Sequence, residues 1–365
     1  KEMGTKKADF FDSRDKYLSF VNSTNEKSSI AFKLSFYLKK TQINSDAFRI
    51  FDAGTGEGTI ISTLLSAAHE QFPEDPIYVV GKEISVDDIE SLLSFLADRF
   101  FEHKNLIFCI TNASYGDFNN KDLPKIRFIK KELEGNTSFN FTKQLMRMNN
   151  LIKKNWELKE DSKSTLLIPK TKTLLAIYRG DQKIALDHLI PKKIEDIPIK
   201  YNFIIASQAF RLRSPYKRTM RIIIQPLLKM LESRGQFFLV YSSGNDFTKK
   251  LLKYFFPAIK PFQFNDPKEF IKEVKKDKIN KNLFKISVSS FIYTFINMSL
   301  TSKKRFSPIN SLGLWNAATY VGQISEKEQK TININTKFLD KVSEIGQKLP
   351  LRFKDYLLRF EKNRD

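Results

Sequence analysis

A glycine-rich turn between an apolar strand and an apolar helix is the feature that most constrains the fold of this chain. The segment Phe48–Asp52 is typical of a strand, Gly54, Gly56 and Gly58 follow, and residues 59–72 have helical periodicity. Glycine lets a backbone approach a ligand closely, and the N–H groups that open the next helix attract polar groups. The spacing is not the G-x-G-x-x-G of dinucleotide sites, and no Gly-Lys-Ser/Thr ending marks a phosphate loop. The turn therefore predicts a ligand site of the nucleotide or adenosyl type.

Strands and helices alternate on both sides of a polar stretch. Ile77–Val80 and Leu106–Ile110 are strand-like runs separated by a helical pattern, and the alternation resumes at Tyr201–Ala206. Such alternation indicates βαβ units and a parallel sheet. We predict N-terminal helices, an α/β core in two pieces, an inserted α+β lid and C-terminal helices, over residues 1–45, 46–118 with 200–330, 119–199, and 331–365.

The remaining segments predict further elements. Thr173–Tyr178 and Lys183–Leu186 are interpreted as a hairpin. The later segments are interpreted as a helix, a strand and a second helix over Tyr216–Leu231, Ala318–Ile324 and Phe353–Phe360.

Further motifs follow the glycine turn in order. Glu83 follows the second strand, Asn112-Ala113 the third, Phe203–Phe210 spans the fourth, and Gly235–Val240 precedes and forms the fifth. With an acidic residue, Asp52, two positions before the first glycine, this order resembles the class I S-adenosylmethionine-dependent methyltransferases. The segment 311–321 is similar to one in bacterial members of that superfamily.

The resemblance implies a Rossmann-like, doubly wound, mostly parallel sheet of seven strands with the last strand antiparallel. It implies S-adenosylmethionine as methyl donor and S-adenosylhomocysteine as product. The residues that it assigns to the cofactor are Asp52, Gly54, Thr55, Gly56, Gly58, Glu83, Ile84, Asn112, Ala113 and Ser207. Asp52 and the turn would hold the methionine part, Glu83 the ribose and Asn112 the adenine, although the family pattern has Asp where this chain has Asn112.

Catalytic and substrate-binding candidates come from the predicted mouth of the sheet and from isolated side chains. Ser207 and Gln208 end the fourth strand, where open α/β sheets bind ligands. His188 is the histidine that we consider as a base, and the three histidines do not have a metal-site spacing, so no metal is predicted. The substrate-binding candidates are Tyr115, Arg211, Trp315, Asn316 and Tyr320. Arg14 and Tyr17 on the first helix are further candidates to cover the cofactor.

The formal net charge of +21 favours a nucleic-acid partner, but its composition weakens that interpretation. The cations comprise 47 Lys and only 15 Arg, and lysine enrichment also follows from AT-rich codon usage. In addition, Ala206-Ser207-Gln208-Ala209 replaces the Asn/Asp-Pro-Pro-Tyr/Phe signature of enzymes that methylate exocyclic base amines.

The sequence therefore predicts S-adenosylmethionine-dependent methyl transfer to a small or medium-sized metabolite, with an amine as the first hypothesis. A nucleic-acid methyltransferase or binder and a noncatalytic cofactor-binding scaffold stay open, and so does a homodimer. A single cysteine, Cys109, and the absence of a long apolar run predict a cytoplasmic protein without a membrane span.

Overall fold

A mixed sheet forms the centre of the molecule. The computed structural model describes residues 16–43, 45–119, 126–160, 167–210, 212–276, 280–296 and 306–364. Nine strands of these ranges form one sheet: β1 Phe48–Asp52, β2 Ile77–Lys82, β3 Leu106–Thr111, β4 Arg127–Leu133, β7 Thr173–Arg179, β8 Tyr201–Ser207, β9 Leu231–Ser242, β10 Phe284–Thr294 and β11 Arg352–Lys362. Their order in the sheet is β10-β11-β9-β8-β1-β2-β3-β7-β4. Two short strands, β5 Leu158–Glu160 and β6 Leu167–Pro169, pair separately.

The middle of the sheet is parallel because its strands are apolar on both faces. β3, β2, β1, β8 and β9 run in parallel, and β3 and β8 are buried at every position. β11, the last strand, is antiparallel to both of its neighbours, β9 and β10. The doubly wound fold and the antiparallel last strand are therefore confirmed.

Helices cover both faces of the sheet. One face packs on α2 Glu26–Leu38, α3 Thr59–Gln71, α4 Val86–Glu102, α5 Ser138–Arg147 and α6 Asn149–Asn155. The other face packs on α1 (residues 16–23), α7 Tyr216–Thr219, a π-helical turn Met220–Ile224, α8 Gln225–Lys229, α9 Phe247–Phe255, α10 Pro267–Lys276, α12 Pro308–Val321 and α14 Thr336–Gln347. Two short helices, α11 Asn280–Leu283 and α13 Glu326–Gln329, lie in connections. Among the helices of the described ranges, none has both the length and the apolarity to cross a bilayer.

The sheet has two strands more than the seven expected, and both come from the insertion. β7 pairs antiparallel with β3, and β4 pairs with β7. The predicted hairpin is therefore wrong: β7 is buried at every position and completes the β3 edge, whereas Lys183–Leu186 forms turns in which Ile184 is 94% exposed.

Three other predicted elements differ from the structure. The predicted strand Ala318–Ile324 largely lies in helix α12, which begins with a Ser307 cap and buries Leu314 and Ala318 one turn apart. The predicted helix Phe353–Phe360 is strand β11, whose apolar positions fit both periods. The predicted helix from Tyr216 ends at Lys229, because Leu231 already pairs with Tyr201 in the sheet.

A buried histidine makes stability depend on pH. Nε2 of His103 lies 3.0 Å from the Asp75 carbonyl oxygen, and its Nδ1 lies 3.0 Å from Nδ1 of His69. Burial lowers the pKa of His103 to about 4, below the value of about 6.5 for an unfolded chain. The neutral ring therefore contributes its full stabilisation of the fold above about pH 6.5. That stabilisation is lost as the pH falls from about 6.5 towards about 4, the pKa of His103 in the folded protein.

We expect the free energy of unfolding to fall between about pH 7.5 and about pH 5 in the wild type. The fall should be roughly 2 kcal/mol larger in the wild type than in His103→Gln. Urea unfolding of both proteins at each pH measures the difference. Equal pH slopes for the two proteins would contradict this account.

Candidate active site

β1 and β8 are neighbours, and the chain leaves their carboxyl ends towards opposite faces of the sheet; the region between the two connections is called the crevice below. After β1 the chain enters α3 on one face of the sheet, whereas after β8 it enters α7 and α8 on the other face. Ligands of doubly wound sheets bind at such a switch point. The glycine turn lies at this point, between β1 and α3.

The turn is held by carboxylates. The Asp52 Oδ1 accepts from the Gly54 N–H at 3.2 Å, and the Glu83 Oε2 accepts from the Gly56 N–H at 2.9 Å. Gly56 has φ +56°, and Gly58 has φ +97° with Leu92 packed where a Cβ would lie. Two backbone donors of the turn are therefore occupied by carboxylates, and the N–H groups of Thr55 and Gly58 donate to the carbonyls of Lys82 and Thr55.

Glu83 links the turn to the end of β2. Its Oε1 accepts from the N–H groups of Ile84 and Ser85 at 2.7 and 2.8 Å, and its carbonyl accepts from the Trp156 indole at 2.9 Å. Trp156, which is 1% exposed, belongs to the insertion. The insertion thus packs against the residue that the sequence assigns to the ribose.

The site is acidic and desolvated. Burial raises the pKa of Asp52 to about 7 and also raises the pKa of Glu83. For Glu57, burial acts to raise the pKa, but the Lys27 ammonium and the Tyr17 hydroxyl outweigh it, so the pKa is lowered. The Glu57 Oε1 is buried without a hydrogen-bond partner among the described residues. This charge pattern suits a ligand that carries a cation.

The first two helices cover the turn. The Tyr17 hydroxyl of α1 donates to Glu57 Oε2 at 2.7 Å, and a Cβ on Gly56 would lie 3.0 Å from that hydroxyl oxygen. Burial opposes the charge of Lys27 on α2, but Glu26, Glu57, Asp52 and Asp88 raise its pKa. Arg14, the other candidate on this segment, lies outside the described residues.

The side chain of Asn112 is hydrogen-bonded to the insertion. Its Oδ1 accepts from the Thr173 N–H at 2.7 Å, and its Nδ2 donates to the carbonyls of Thr171 and Asn155 at 3.1 and 3.3 Å. An aspartate has no donor for those two carbonyls, which gives a physical reason for Asn at this position. Ala113 is fully buried beside it. Thr55 lies within the glycine turn, and Ile84 follows the end of β2.

Gln208 has a strained backbone and a buried environment. It has φ +53°, and its Nε2 donates to Glu26 Oε1 at 3.0 Å and to Asp355 Oδ2 at 2.9 Å. The adjacent Ser207 Oγ is buried without a partner among the described residues. Both residues lie at the carboxyl end of β8.

The structure brings two of the substrate-binding candidates to this region. The Tyr115 hydroxyl donates to the Ala53 carbonyl at 2.6 Å, and its ring lies 5.2 Å from the Lys82 ammonium. The Tyr320 ring centroid lies 5.9 Å from that of Tyr17.

Among the other candidates, Trp315 and His188 form no hydrogen bond to the crevice in the described part of the chain. Trp315 is 1% exposed and packs among Phe255, Phe256 and Phe338. His188 is exposed in the insertion, and the described part of the chain gives it no hydrogen bond to the crevice. Asn316 is half-buried on α12 beside Trp315, and Arg211 lies outside the described residues.

Sequence reasoning missed four residues of the site. Glu26 and Lys27 begin α2, Asp355 lies on β11, and Trp156 follows α6. Charged residues at a helix start are ordinary, so Glu26 and Lys27 had no distinctive signal. An acid in an otherwise apolar strand is a signal, but Asp355 was interpreted as helical.

Three solved structures are similar to this chain at low identity. A Listeria monocytogenes protein assigned to the class I S-adenosylmethionine-dependent methyltransferases is 9% identical, with a TM-score of 0.34 over 92% of this chain and 60% of that one. A Bacillus halodurans protein assigned as a methyltransferase is 10% identical, with a TM-score of 0.34 over 91% of this chain and 98% of that one. Haemonchus contortus phosphoethanolamine N-methyltransferase 2, determined with phosphomonomethylethanolamine and S-adenosylhomocysteine, is 10% identical, with a TM-score of 0.31 over 91% of this chain and 53% of that one.

The chain thus spans less than two thirds of the length of the Listeria and Haemonchus proteins. No protein-family model and no curated protein matches it. The strand order and the geometry above, rather than these similarities, carry the assignment of the fold and the site.

We expect Asn112→Asp to lower the free energy of unfolding by about 3 kcal/mol, because two buried carbonyls lose their donor and face a carboxylate. Urea unfolding measures the loss. Asn105→Asp is the matched control: Asn105 gives one exposed hydrogen bond to the Glu74 carbonyl, so its loss should stay below about 1 kcal/mol. Equal stability of Asn112→Asp and the wild type would disprove the structural role of this amide.

Proposed function

We propose that this chain is an S-adenosylmethionine-dependent methyltransferase that acts on a small or medium-sized amine. The observation that carries the proposal is the acid-lined glycine turn at the switch point. Asp52 and Glu83 occupy the turn's N–H groups, and Glu57 adds a third carboxylate. Such a turn repels phosphate, but it suits a ligand with an ammonium group, a sulfonium and ribose hydroxyls.

The residues present fit that cofactor. A Cβ on Gly54 would meet nothing nearer than the Ser207 carbonyl oxygen at 3.9 Å, which leaves space above the turn. Asp52 and the glycine backbone would hold the ammonium end of the methionine part, and the Lys27 ammonium would bind its carboxylate. Glu83 would bind the ribose. The Asn112 side chain and the N–H groups of Asn112 and Ala113 are hydrogen-bonded within the chain, so these two residues would give the adenine no donor.

When bound, S-adenosylmethionine supplies a methyl group on a positively charged sulfur. The chain's task is to align an acceptor atom with that methyl group and to exclude water. Ser207 and Gln208 lie at the end of β8, next to the turn, and would orient the acceptor. Tyr17, Tyr320 and the start of α2 would cover it, which favours an acceptor small enough to be enclosed.

A nucleic-acid substrate is the less favoured alternative. A cavity of about 370 Å³ has six cations and one acid, Glu361, in its wall; the cations are Lys40, Arg234, Lys285, Arg359, Lys362 and Arg364. This basic surface lies at the amino ends of the parallel strands, opposite the glycine turn. A polyanion bound there would not reach the methyl-transfer site.

We expect isothermal titration calorimetry to detect S-adenosylmethionine binding that weakens below about pH 7, by up to about tenfold per pH unit. Asp52 takes up a proton as the pH falls through about 7, and a neutral acid no longer attracts the cofactor's ammonium group. Asp52→Asn should bind weakly with little pH dependence, and Glu83→Gln should also bind weakly. The exposed Glu134→Gln is the control and should behave like the wild type. No binding by the wild type would refute the proposal.

A screen with methyl-labelled S-adenosylmethionine then separates an enzyme from a noncatalytic scaffold. Metabolites and nucleic acids serve as acceptors, and Gly56→Asp serves as the blank because the new side chain would collide with Tyr17. We expect label transfer to small amines. Cofactor binding without transfer to any acceptor would favour a scaffold, and transfer to RNA or DNA would favour the alternative substrate class.

A further inference from the structure

Two buried carboxylates lie behind the methyl-transfer candidates. Glu26 at the start of α2 is 2% exposed, and Asp355 on β11 is fully buried. The Gln208 amide bridges them, since its Nε2 donates to both carboxylates. Residues separated by more than 300 positions in the sequence thus meet at the end of β8.

The surroundings contain more acid than base. The Lys27 ammonium lies 3.8 Å from Glu26 Oε2, and the Asp355 Oδ1 has no hydrogen-bond partner in the described part of the chain. Burial raises the pKa of both carboxyl groups, and Glu26 raises that of Asp355 further. An unbalanced buried carboxylate is costly unless a cation joins it.

Two further polar atoms point to a ligand. Ser242 is the cross-strand partner of Asp355, so their side chains project from the same face of the sheet. Ser207 pairs with Val240, which lies two positions before Ser242 on β9. Since side chains two positions apart share a face of a strand, Ser207 projects from that face as well. Ser207 and Ser242 are 7% and 3% exposed, and the described residues provide no hydrogen-bond partner for either hydroxyl oxygen. Unpartnered buried hydroxyls of this kind are rare in a structure without a ligand site.

We infer that Glu26 and Asp355 form the subsite for the substrate's ammonium group and take up its proton before methyl transfer. This inference rests on the proposed function. The ammonium loses one proton to a carboxylate, which becomes a carboxylic acid. The freed nitrogen lone pair then forms the N–CH₃ bond while the electrons of the S–CH₃ bond stay on sulfur. The proton held by the carboxylic acid passes to solvent.

Gln208 is a positioning residue in this arrangement. It cannot accept the proton, but its amide fixes the separation of the two carboxylates, and its φ of +53° is maintained for that geometry. Several other groups influence the titration of Glu26 and Asp355. Lys27 and Glu57 face Glu26 together with Tyr320, whereas Asp246, Tyr293 and Lys27 face Asp355.

The test compares Glu26→Gln and Asp355→Asn with the exposed control Glu344→Gln. Ethanolamine, putrescine and spermidine serve as ammonium probes. Alcohols and carboxylic acids of similar size serve as counter-probes. We expect wild type saturated with S-adenosylhomocysteine to bind at least one ammonium probe, and the labelled cofactor to methylate it. Each of the two variants should lose at least about 30-fold in kcat/KM, while S-adenosylhomocysteine affinity changes less than about threefold.

A purely structural role predicts a different pattern. Replacing either buried carboxylate by its amide should leave the melting temperature unchanged or raise it if the pair serves a ligand, but lower it if the pair serves the fold. The inference is overturned if the variants keep amine methylation, if both melt lower with unchanged kcat/KM, or if a protein that binds S-adenosylhomocysteine accepts none of the ammonium probes. Failure to bind S-adenosylhomocysteine would instead overturn the proposed function.

Discussion

The crevice depends on the hydrogen bonds that the Glu83 carboxylate accepts. It accepts hydrogen bonds from Gly56, Ile84 and Ser85, and the carbonyl of the same residue accepts from Trp156. One residue therefore joins the glycine turn, the end of β2, the start of α4 and the insertion. Because its carboxylate occupies a turn N–H that a phosphate would need, the same interaction that shapes the turn also sets the charge of the ligand that it accepts.

The charge of the crevice differs from that of the whole chain. The chain carries a net +21, yet Asp52, Glu57, Glu26 and Asp88 surround the Lys27 ammonium at the site. Lysine excess at the surface and acid at the crevice are compatible, because exposed charges are screened by water and salt whereas buried charges are not. This local excess of acid, rather than the global charge, bears on the choice of substrate.

Local spacing predicted the parts of the site that lie close together in sequence. The glycine turn follows from a strand–turn–helix pattern, the end of β8 from the position of ligands in open α/β sheets, and Glu83 from the resemblance to the methyltransferases. In the structure Glu83 binds the glycine turn, and the end of β8 lies beside β1. Lys27, Glu26 and Asp355 were not predictable, because they meet only through the long-range pairing of β11 and the packing of α2. Apolar spacing in β11 and α12 fitted both helix and strand, so those elements were assigned wrongly, and Trp315 proved to be core. β7 was predicted as a strand but with the wrong partner, and the edge strand β4 was missed, because the sequence of a strand does not reveal which strands it pairs with.

A crystal structure of the chain with S-adenosylhomocysteine tests the central claim most directly. The account predicts density for the ligand over the glycine turn, with its ribose at Glu83, its carboxylate at Lys27 and its sulfur facing the end of β8 near Gln208. Ligand density elsewhere on the molecule, or no ligand over the glycine turn at saturating concentration, would contradict it.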